Sequence, residues 1–568
     1  MAIASPSAPR FSSFCCCRVG SARAAGSVGT VGLLPPIHTR FPARKLTLYS
    51  RLDSSSSASS NDPDGELRYE LQHGVPTHPH PHRRGTPVFV TLPVDAVSSP
   101  SGQMTRKKIM KHSFTALKTM GVEGVVMEVW WGLVERESPR VYNWQGYLEI
   151  VALAKRIGLK VRAVMAFHQC GTGTNDPFWV PLPKWVLEEM EKDPDLAYSD
   201  RFGRRSLEYI SLGCDVLPIL HGRSPVQAYT DFMKDFKEIF KAFLGTTITG
   251  IQVGMGPGGE LRYPSCPPKK LTSAWRSREL GEFQCYDRYM LASQNACAGE
   301  VGMREWANGG PIGASSLMHD PESTEFFRSD GSWNTAYGDF FLQWYSGMLL
   351  LHGERICKEA ESIFRGFEVD LSGKVAGIHW HYGTPSHPSE LTAGYYNTSI
   401  RDGYLPIARM FGRYRFTICC PCFEMKDAHE QKINPVSSPE GLLRQLLLAA
   451  RFCYLPLVGE NSATSLDDQS FEQVLKMSKF YSDGVPFEHV LNMSRLYSDG
   501  LETPYFSFNF VRMDKHFFDT RNIASFTRFV KQMSDTNNIR AKLSFGDGDM
   551  RVSSSSSGAA ANMKAVFA

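Results

Sequence analysis

Apolar and β-branched runs that stop abruptly at glycine, proline or polar positions recur through the middle of the chain. Each run has the length of a buried strand and is too short for a typical helix. The eight predicted strands are Val88–Leu92, Gly124–Trp130, Val161–Phe167, Gly250–Val253, Val375–Trp380, Phe416–Cys420, Leu455–Val458 and Phe506–Val511.

Segments with helical periodicity separate most of these runs, among them Met104–Met120, Tyr147–Ile157, Val226–Phe243 and Leu442–Arg451. Eight strands alternating with helices predict an α/β fold, the (β/α)8 barrel, whose active site lies at the C-terminal ends of the strands. Insertions of about 80 and 110 residues after the third and fourth runs predict a lobe over that face.

Composition agrees with a single large barrel. The chain has 568 residues, of which 42% are hydrophobic and 21% charged, as in soluble globular proteins. An α/β barrel with insertions can exceed 400 residues as one unit. No apolar run approaches the roughly 18 residues that would span a bilayer, so the sequence predicts no transmembrane segment.

The N-terminal segment differs in charge from the rest of the chain. Residues 1–52 contain seven Arg or Lys and no Asp or Glu, and they are rich in Ser and Ala, which predicts an organelle transit peptide. Without those seven charges the net charge of +4 becomes −3, so nucleic acid is not an expected partner. Polar residues 53–84 are predicted to be a disordered linker, with metal binding by the His/Pro stretch the less favoured alternative. The folded body is placed at 85–535 and a flexible tail at 536–568.

Two glutamates stand where apolar runs end. Glu260 follows the glycine-rich stretch 254–259, and Glu460 lies 200 residues later. Cleavage of a glycosidic bond needs such a pair, because one carboxyl protonates the leaving oxygen while the other activates water or attacks. His168, Glu128 and Glu424 also lie at or just past the ends of runs, so the pattern predicts an active site at the barrel mouth.

The glycine-rich stretch also fits the Gly-x-Gly-x-x-Gly pattern of dinucleotide-binding sites. That site requires a helix to follow the glycines, and Pro264, Pro267 and Pro268 forbid one. The glycines are therefore interpreted as allowing a bulky substrate to approach Glu260 closely.

Several features allow two interpretations. The loop after His168 could close over a ligand and contribute Asp176, or merely connect elements. The aromatic residues Trp130, Trp131 and Trp380 could stack on sugar rings or pack in the core. Cys419, Cys420 and Cys422 lack the second ligand pair of a zinc site, so buried thiols are favoured, with redox control left open. The near-repeat of residues 471–484 at 487–500 is assigned no function.

Specific motifs resemble those of the plant β-amylases, inverting hydrolases that release maltose from the non-reducing ends of α-1,4-glucans. The resemblance covers nearly all of residues 85–535. It is carried by Val129-Trp130-Trp131-Gly132, Phe167-His168-Gln169-Cys170-Gly171, Gly259-Glu260-Leu261-Arg262-Tyr263-Pro264, Gly377-Ile378-His379-Trp380, Leu391-Thr392-Ala393-Gly394-Tyr395-Tyr396-Asn397, Arg401-Asp402-Gly403-Tyr404 and Gly459-Glu460-Asn461.

The resemblance implies roles for individual residues. Glu260 is expected to be the general acid and Glu460 the base that activates water. An inverting pair leaves room for that water when the carboxyls lie ~6.5–9.5 Å apart. No metal or cofactor is implied. The expected substrate-binding residues are Glu128, His168, Asp176, Lys374, His379, Trp380, Pro421, Asn461 and Arg512.

Departures from the family pattern cluster at this site. Glu128 stands where the family has Asp, and Pro421 stands where it has a Thr that holds product and steadies the acid. Pro421 offers neither that hydroxyl nor a backbone N–H. His381 replaces a second Trp, and the loop before Asp176 has lost glycines, which stiffens closure. Turnover is therefore expected to be slow.

Two functions from different classes follow. The first is exo-hydrolysis of α-1,4-glucans in the plastid stroma. The second is a catalytically inactive regulator of starch metabolism that binds glucan or another starch-metabolising protein through the retained cleft. Neither hypothesis involves nucleic acid or a membrane.

Overall fold

The computed structural model describes residues 86–99, 101–171, 173, 176, 178–265, 280–314, 320–462, 466–483 and 506–534. The predicted transit peptide, linker and tail lie outside these ranges, as does the second copy of the near-repeat. Within the described ranges, no helix is both long and apolar enough to span a membrane.

Eight parallel strands close into a barrel, with an antiparallel hairpin beside it. The barrel strands, in order around the barrel, are β1 (Val88–Thr91), β2 (Gly124–Trp130), β3 (Lys160–Ala166), β6 (Ile248–Val253), β7 (Asp370–Lys374), β8 (Phe416–Cys420), β9 (Leu457–Glu460) and β10 (Phe506–Phe510), and β10 pairs with β1. The hairpin is β4 (Ala197–Ser199) and β5 (Arg205–Ile210). This closed parallel barrel confirms the (β/α)8 prediction.

Helices cover the outside of the barrel and build the insertions. In chain order they are α1 (Lys107–Thr119), α2 (Trp131–Val134), α3 (Gln145–Ile157), α4 (Lys184–Lys192), α5 (Pro225–Phe240), α6 (Arg288–Glu300), α7 (Ala336–Phe364), α8 (Pro388–Thr392), α9 (Leu405–Arg413), α10 (Asp427–Glu430), α11 (Pro439–Phe452), α12 (Asp468–Asp483) and α13 (Thr520–Ser534). Their starts follow local chemistry: at α5, Ser224 and Gln227 form a reciprocal capping box ahead of an amphipathic helix.

The fifth barrel strand lies earlier in the chain than predicted. The apolar run Val375–Trp380 is the loop that follows β7, and the strand itself is Asp370–Lys374. In β7 only Leu371 and Gly373 alternate toward the buried outer side, and Gly373 lies against Phe411 of α9. The prediction was wrong because this strand sends polar side chains into the barrel and therefore lacks a continuous apolar run.

The two long insertions pack against each other as the expected lobe. The ring of Tyr198 lies 5.7 Å from that of Tyr263, and Ser211 Oγ is 3.0 Å from Asp287 Oδ2. The hairpin reaches the C-terminal edge of the barrel, where Glu208 Oε1 accepts a hydrogen bond of 2.9 Å from the backbone N–H of Gly258. The lobe is thereby attached to the loop that carries Glu260.

Candidate active site

A tight glycine turn delivers Glu260 to the barrel mouth. After β6, residues Pro257–Gly259 form one 3-10 turn, and Glu260 follows in extended conformation. No helix follows the glycines in the described residues up to 265, in agreement with rejection of the dinucleotide site. A Cβ on Gly254 would lie 2.6 Å from the Met165 carbonyl, and one on Gly256 would lie 2.5 Å from the Glu260 carbonyl. The glycines therefore serve close backbone packing beneath the glutamate.

Lys374 bridges the two predicted catalytic glutamates. It ends β7, and its Nζ lies 3.9 Å from Glu260 Oε1 and 2.9 Å from Glu460 Oε2. Those two oxygens are therefore no more than about 7 Å apart, an upper bound that is compatible with the short end of the ~6.5–9.5 Å range for inverting pairs. Both carboxyls are buried, with 5% and 4% exposure. The structure thus brings together three predicted site residues that are far apart in sequence.

Glu460 is held as a carboxylate. Burial raises its pKa, but Lys374 at Oε2 and the Asn509 amide, 2.9 Å from Oε1, outweigh burial, so the pKa is lowered overall. Cys419 adds a side-chain hydrogen bond. For Lys374, burial opposes the charge, yet Glu460 and Glu260 raise its pKa. A carboxylate so held can accept a proton from water.

The surroundings of Glu260 are different. Arg262 Nε donates to Glu260 Oε2 at 2.7 Å, and both side chains are buried. Glu208 lies nearby and has a pKa raised by burial, which Arg262 and the Gly258 N–H only partly offset. Because Arg262 occupies Oε2, the other oxygen of Glu260 is the one available to a substrate.

Glu128 and Arg512 form an ion pair at the end of β2. The guanidinium is bidentate, with Nη1 2.7 Å from Oε2 and Nη2 2.9 Å from Oε1, and Nη1 also donates to the Leu92 carbonyl. Burial raises the pKa of Glu128, but Arg512 outweighs it and lowers the pKa overall. The longer carboxylate of Glu128 is therefore directed to Arg512.

Asn461 positions the segment after β10 that carries Arg512. Its side-chain amide hydrogen-bonds both the carbonyl and the N–H of Val511, the latter at 2.8 Å. These contacts join the end of β9 to the segment after β10. They support a positioning role beside the sugar-binding role that the resemblance implied.

Two histidines at the site are neutral, His379 fully buried and His168 half-buried. Burial lowers the pKa of His168 to about 4 and that of His379 to about 3. His379 Nδ1 is 2.8 Å from Ser437 Oγ, whereas Nε2 is buried without a hydrogen-bond partner in the described part of the chain. The same holds for His168 Nδ1 and Trp130 Nε1. Buried polar atoms left in this state are suited to sugar hydroxyl groups.

Of the three tryptophans, only Trp131 is assigned by the structure to one of the two interpretations, and sugar stacking by Trp130 and Trp380 stays a prediction. Trp131 is fully buried against Phe167, Trp185 and Tyr229, so it packs in the core. Trp130 lies 5.2 Å from the ring of His168, at the mouth. Trp380 is 3% exposed beside His379, and the Asn434 amide donates to its carbonyl.

The two ends of the loop after His168 are joined by an isolated antiparallel β-bridge, made by backbone hydrogen bonds between Cys170 and Val180. Asp176 lies within it, with its backbone N–H 3.0 Å from the Gly173 carbonyl. Closure of this loop over a ligand stays a prediction.

Pro421 lies in the loop that follows β8. It is buried, and a Cβ on Gly377 would lie 2.9 Å from its ring. The next residue, Cys422, has φ of 70°, a left-handed conformation that costs a non-glycine residue roughly 1–2 kcal/mol. Cys422 N donates to Ser462 Oγ at 3.1 Å. The loop is therefore packed in place without the hydroxyl that the family supplies here.

The three clustered cysteines are buried thiols, as predicted, and burial raises their pKa. Within the described residues, no group of three His, Cys, Asp or Glu side chains is arranged to hold a metal ion.

Sequence reasoning missed three residues of the site. Arg262 was quoted in a motif but given no role, although it holds Glu260. Asn509 lies in the middle of a predicted strand, and Glu208 lies on an insertion. The alternation of inward and outward side chains along β10 could have indicated Asn509. No such signal was available for Glu208, because the sequence does not show which residue of the hairpin reaches the barrel mouth.

A (β/α)8 barrel with two buried carboxyls bridged across its C-terminal mouth has the architecture of a glycoside hydrolase. The chain belongs to glycosyl hydrolase family 14, whose model matches residues 89–538.

Relatives and a solved structure agree with this assignment. The chain is 51% identical over 456 residues to "Beta-amylase 1, chloroplastic" of Arabidopsis thaliana, covering 79% of this chain and 76% of that one. It is 44% identical over 544 residues to "Beta-amylase 2, chloroplastic" of Oryza sativa subsp. japonica, covering 94% and 92%. The catalytic domain of a β-amylase from Paenibacillus polymyxa superposes with a TM-score of 0.61 at 23% identity, over 79% of this chain and 99% of that chain, and supports the fold alone.

Proposed function

We propose that this protein hydrolyses α-1,4-glucans from their non-reducing ends and releases β-maltose with inversion. The observation that carries the proposal is the buried pair Glu260 and Glu460, joined through Lys374 at 3.9 and 2.9 Å. The β-amylase names of the family relatives supply the substrate class and the product.

The two glutamates divide the chemistry. Glu460, held ionised by Lys374 and Asn509, removes a proton from the attacking water. Glu260 gives a proton from Oε1 to the leaving glycosidic oxygen, because Oε2 accepts from Arg262. Attack from the face opposite the leaving group produces the inverted anomer.

Sugar binding surrounds this pair. The nitrogens of Trp130, His168 and His379 that have no hydrogen-bond partner among the described residues support contacts to sugar hydroxyl groups, and the ion pair of Glu128 with Arg512 supports a charged side of the cleft. Closure by Asp176 and direct contacts from Trp380 and Asn461 remain part of the proposal on the strength of the resemblance.

We propose slow turnover, and Pro421 is the reason. The resemblance implies that a threonine at this position holds product and steadies the acid, and a proline provides neither its hydroxyl nor its backbone N–H.

The proposed location is the plastid stroma. Three relatives are named as chloroplastic, and residues 1–52 have the composition of a transit peptide. The proposed domain arrangement is transit peptide 1–52, linker 53–84, catalytic barrel 85–535 and tail 536–568.

The test is product analysis with a matched variant. Protein lacking residues 1–83 is incubated with soluble starch, and products are separated by size. Maltose as the first and main product, absent with Glu260→Gln and unchanged with the exposed Glu305→Gln, is the expected result. Maltose release that survives Glu260→Gln, or products of mixed length, would reject the proposal.

The altered site favours a second candidate, a regulator that binds glucan or a starch-metabolising protein without cleaving it. Pro421 and Glu128 are the observations for it. Tight binding of maltooligosaccharide with no product over a day, in both the native protein and Pro421→Thr, would favour this candidate over the enzyme.

A further inference from the structure

Inside the barrel, below Glu460, lies an arginine that the proposed chemistry has not used. Arg162 points inward from β3 and is 9% exposed. Its Nη1 donates to Asn509 Oδ1 and its Nη2 to Ser507 Oγ, both at 2.8 Å, and its guanidinium stacks 3.8 Å from the Phe89 ring centre. Both acceptors belong to β10, which is separated from β3 by β1 and β2 in the order of strands around the barrel.

The barrel makes room for this side chain. A Cβ on Gly250, the neighbouring position of β6, would lie only 3.1 Å from Arg162 Cγ. The pairing of β3 with β6 also shifts register between Val161 and Arg162. Removing a charged arginine from water costs free energy, and only hydrogen bonds to correctly oriented acceptors offset that cost.

The chemistry of these groups fixes the direction of each hydrogen bond. An arginine side chain has donors only, so the atom of Asn509 that faces it must be the carbonyl oxygen. The amide nitrogen of Asn509 is then directed at Glu460 Oε1, 2.9 Å away, and it too can only donate. Glu460 must therefore accept at this oxygen.

We propose that Arg162 is a positioning residue that locks the Asn509 amide so that it donates to Glu460 and keeps Glu460 a proton acceptor. This rests on the proposed role of Glu460 as base. Arg162 touches neither substrate nor reacting atoms and acts through Asn509.

Other groups also face Glu460. Lys374 and Cys419 contact it, Glu260 faces it across Lys374, and Arg512 is an additional positive charge. Asp370 lines the same interior cavity as Arg162 and Asn509. Lys374 holds Oε2, so loss of Arg162 is expected to free only the Oε1 side and to weaken the ionised state in part.

A double-mutant cycle in urea tests the proposal without depending on turnover. Unfolding midpoints at pH 7 are compared for the native protein, Arg162→Met, Glu460→Gln and the double variant. If Arg162 acts on the charge of Glu460, its replacement lowers the midpoint at least twice as far in the native background as in the Glu460→Gln background. Equal losses in both backgrounds would show that Arg162 only fills the barrel and would overturn the proposal.

Two further variants sharpen the cycle. Ser507→Ala removes the other hydrogen-bond partner of Arg162 and leaves the bond to Asn509 intact. We therefore expect this substitution to lower the urea midpoint by nearly the same amount in the native and the Glu460→Gln backgrounds. Arg162→Lys retains a hydrogen-bond donor. With lysine in place of methionine, the difference between the midpoint losses in the two backgrounds is expected to shrink by at least half.

The activity readout is the pH profile of maltose release. In Arg162→Met the acid limb of kcat is expected to move upward by about half a pH unit or more, with KM within twofold of native. An unmoved limb beside uniformly reduced kcat would contradict the positioning role. A native protein that releases no maltose would reject the proposed function, while the urea cycle would still decide whether Arg162 acts on Glu460.

Discussion

The floor and the rim of the cleft are built differently. On the floor, both oxygens of Glu460 have donors, and Glu260 is paired with Arg262. We call the rim the groups that surround this pair: the nitrogens of Trp130, His168 and His379 that have no partner among the described residues, and the substituted positions Glu128 and Pro421. The groups proposed to break the bond are joined by hydrogen bonds and ion pairs, whereas Glu128 and Pro421, among the groups proposed to hold the sugar, depart from the family pattern.

The floor is tested by neutralising either glutamate. Glu260→Gln or Glu460→Gln is expected to lower kcat by about 10²- to 10⁴-fold, because each removes a proton transfer that typically contributes a factor of that size. The measurement is maltose release at saturating glucan. A loss below tenfold in either variant would show that the comparison is wrong and that catalysis lies elsewhere.

The rim is tested at the loop after β8. Pro421→Thr returns a hydroxyl and an N–H to a buried position, and we expect turnover to rise roughly 100-fold, the low end of the 10²–10³-fold effect of one well-placed catalytic donor. Pro421→Ala, which returns only the N–H, is the matched control and should gain less. If Thr gives no more than Ala, the missing hydroxyl does not limit the reaction.

A smaller effect is expected from changing the ion pair of Arg512 with Glu128, which is proposed to contact the sugar. Arg512→Lys replaces a bidentate guanidinium by a single ammonium, so Glu128 is freed to rotate into the cleft. We expect KM to rise about tenfold with a smaller change in kcat. The exposed Arg528→Lys on α13 should change neither. A large fall in kcat with constant KM would show that Arg512 acts in the chemical step, like the groups around Glu260 and Glu460, and not in sugar binding.

The smallest expected effect concerns pH and stability at His379. Burial lowers its pKa to about 3, so the folded state keeps it neutral while the unfolded chain takes up a proton near its usual pKa of about 6.5. Stability is therefore lost as the pH falls below that value. Between pH 6.5 and 5.5, His379→Gln should reduce the acid loss of unfolding free energy by about 1 kcal/mol. An unchanged slope in urea titrations would contradict this.

Sequence reasoning reached the fold through the regular elements. Seven strands lie within a few residues of the prediction, and the exception, β7, failed because Asp370, Ser372 and Lys374 occupy its inward positions. Barrel topology, not local pattern, put Lys374 between Glu260 and Glu460.

The site was less accessible from the sequence. Its two glutamates stood out because each ends an apolar run. Their partners Arg262 and Asn509 did not, since their importance depends on which atoms meet across the barrel. The pairing of Glu128 with Arg512 likewise depends on a contact between positions 384 residues apart.

The anomeric form of newly released maltose tests the central claim most directly. Protein lacking residues 1–83 is mixed with soluble starch and followed by proton NMR before mutarotation, with Glu260→Gln in parallel. We predict β-maltose from the native protein and no maltose from the variant. α-Maltose, or β-maltose that persists in Glu260→Gln, would contradict an inverting reaction by Glu260 and Glu460.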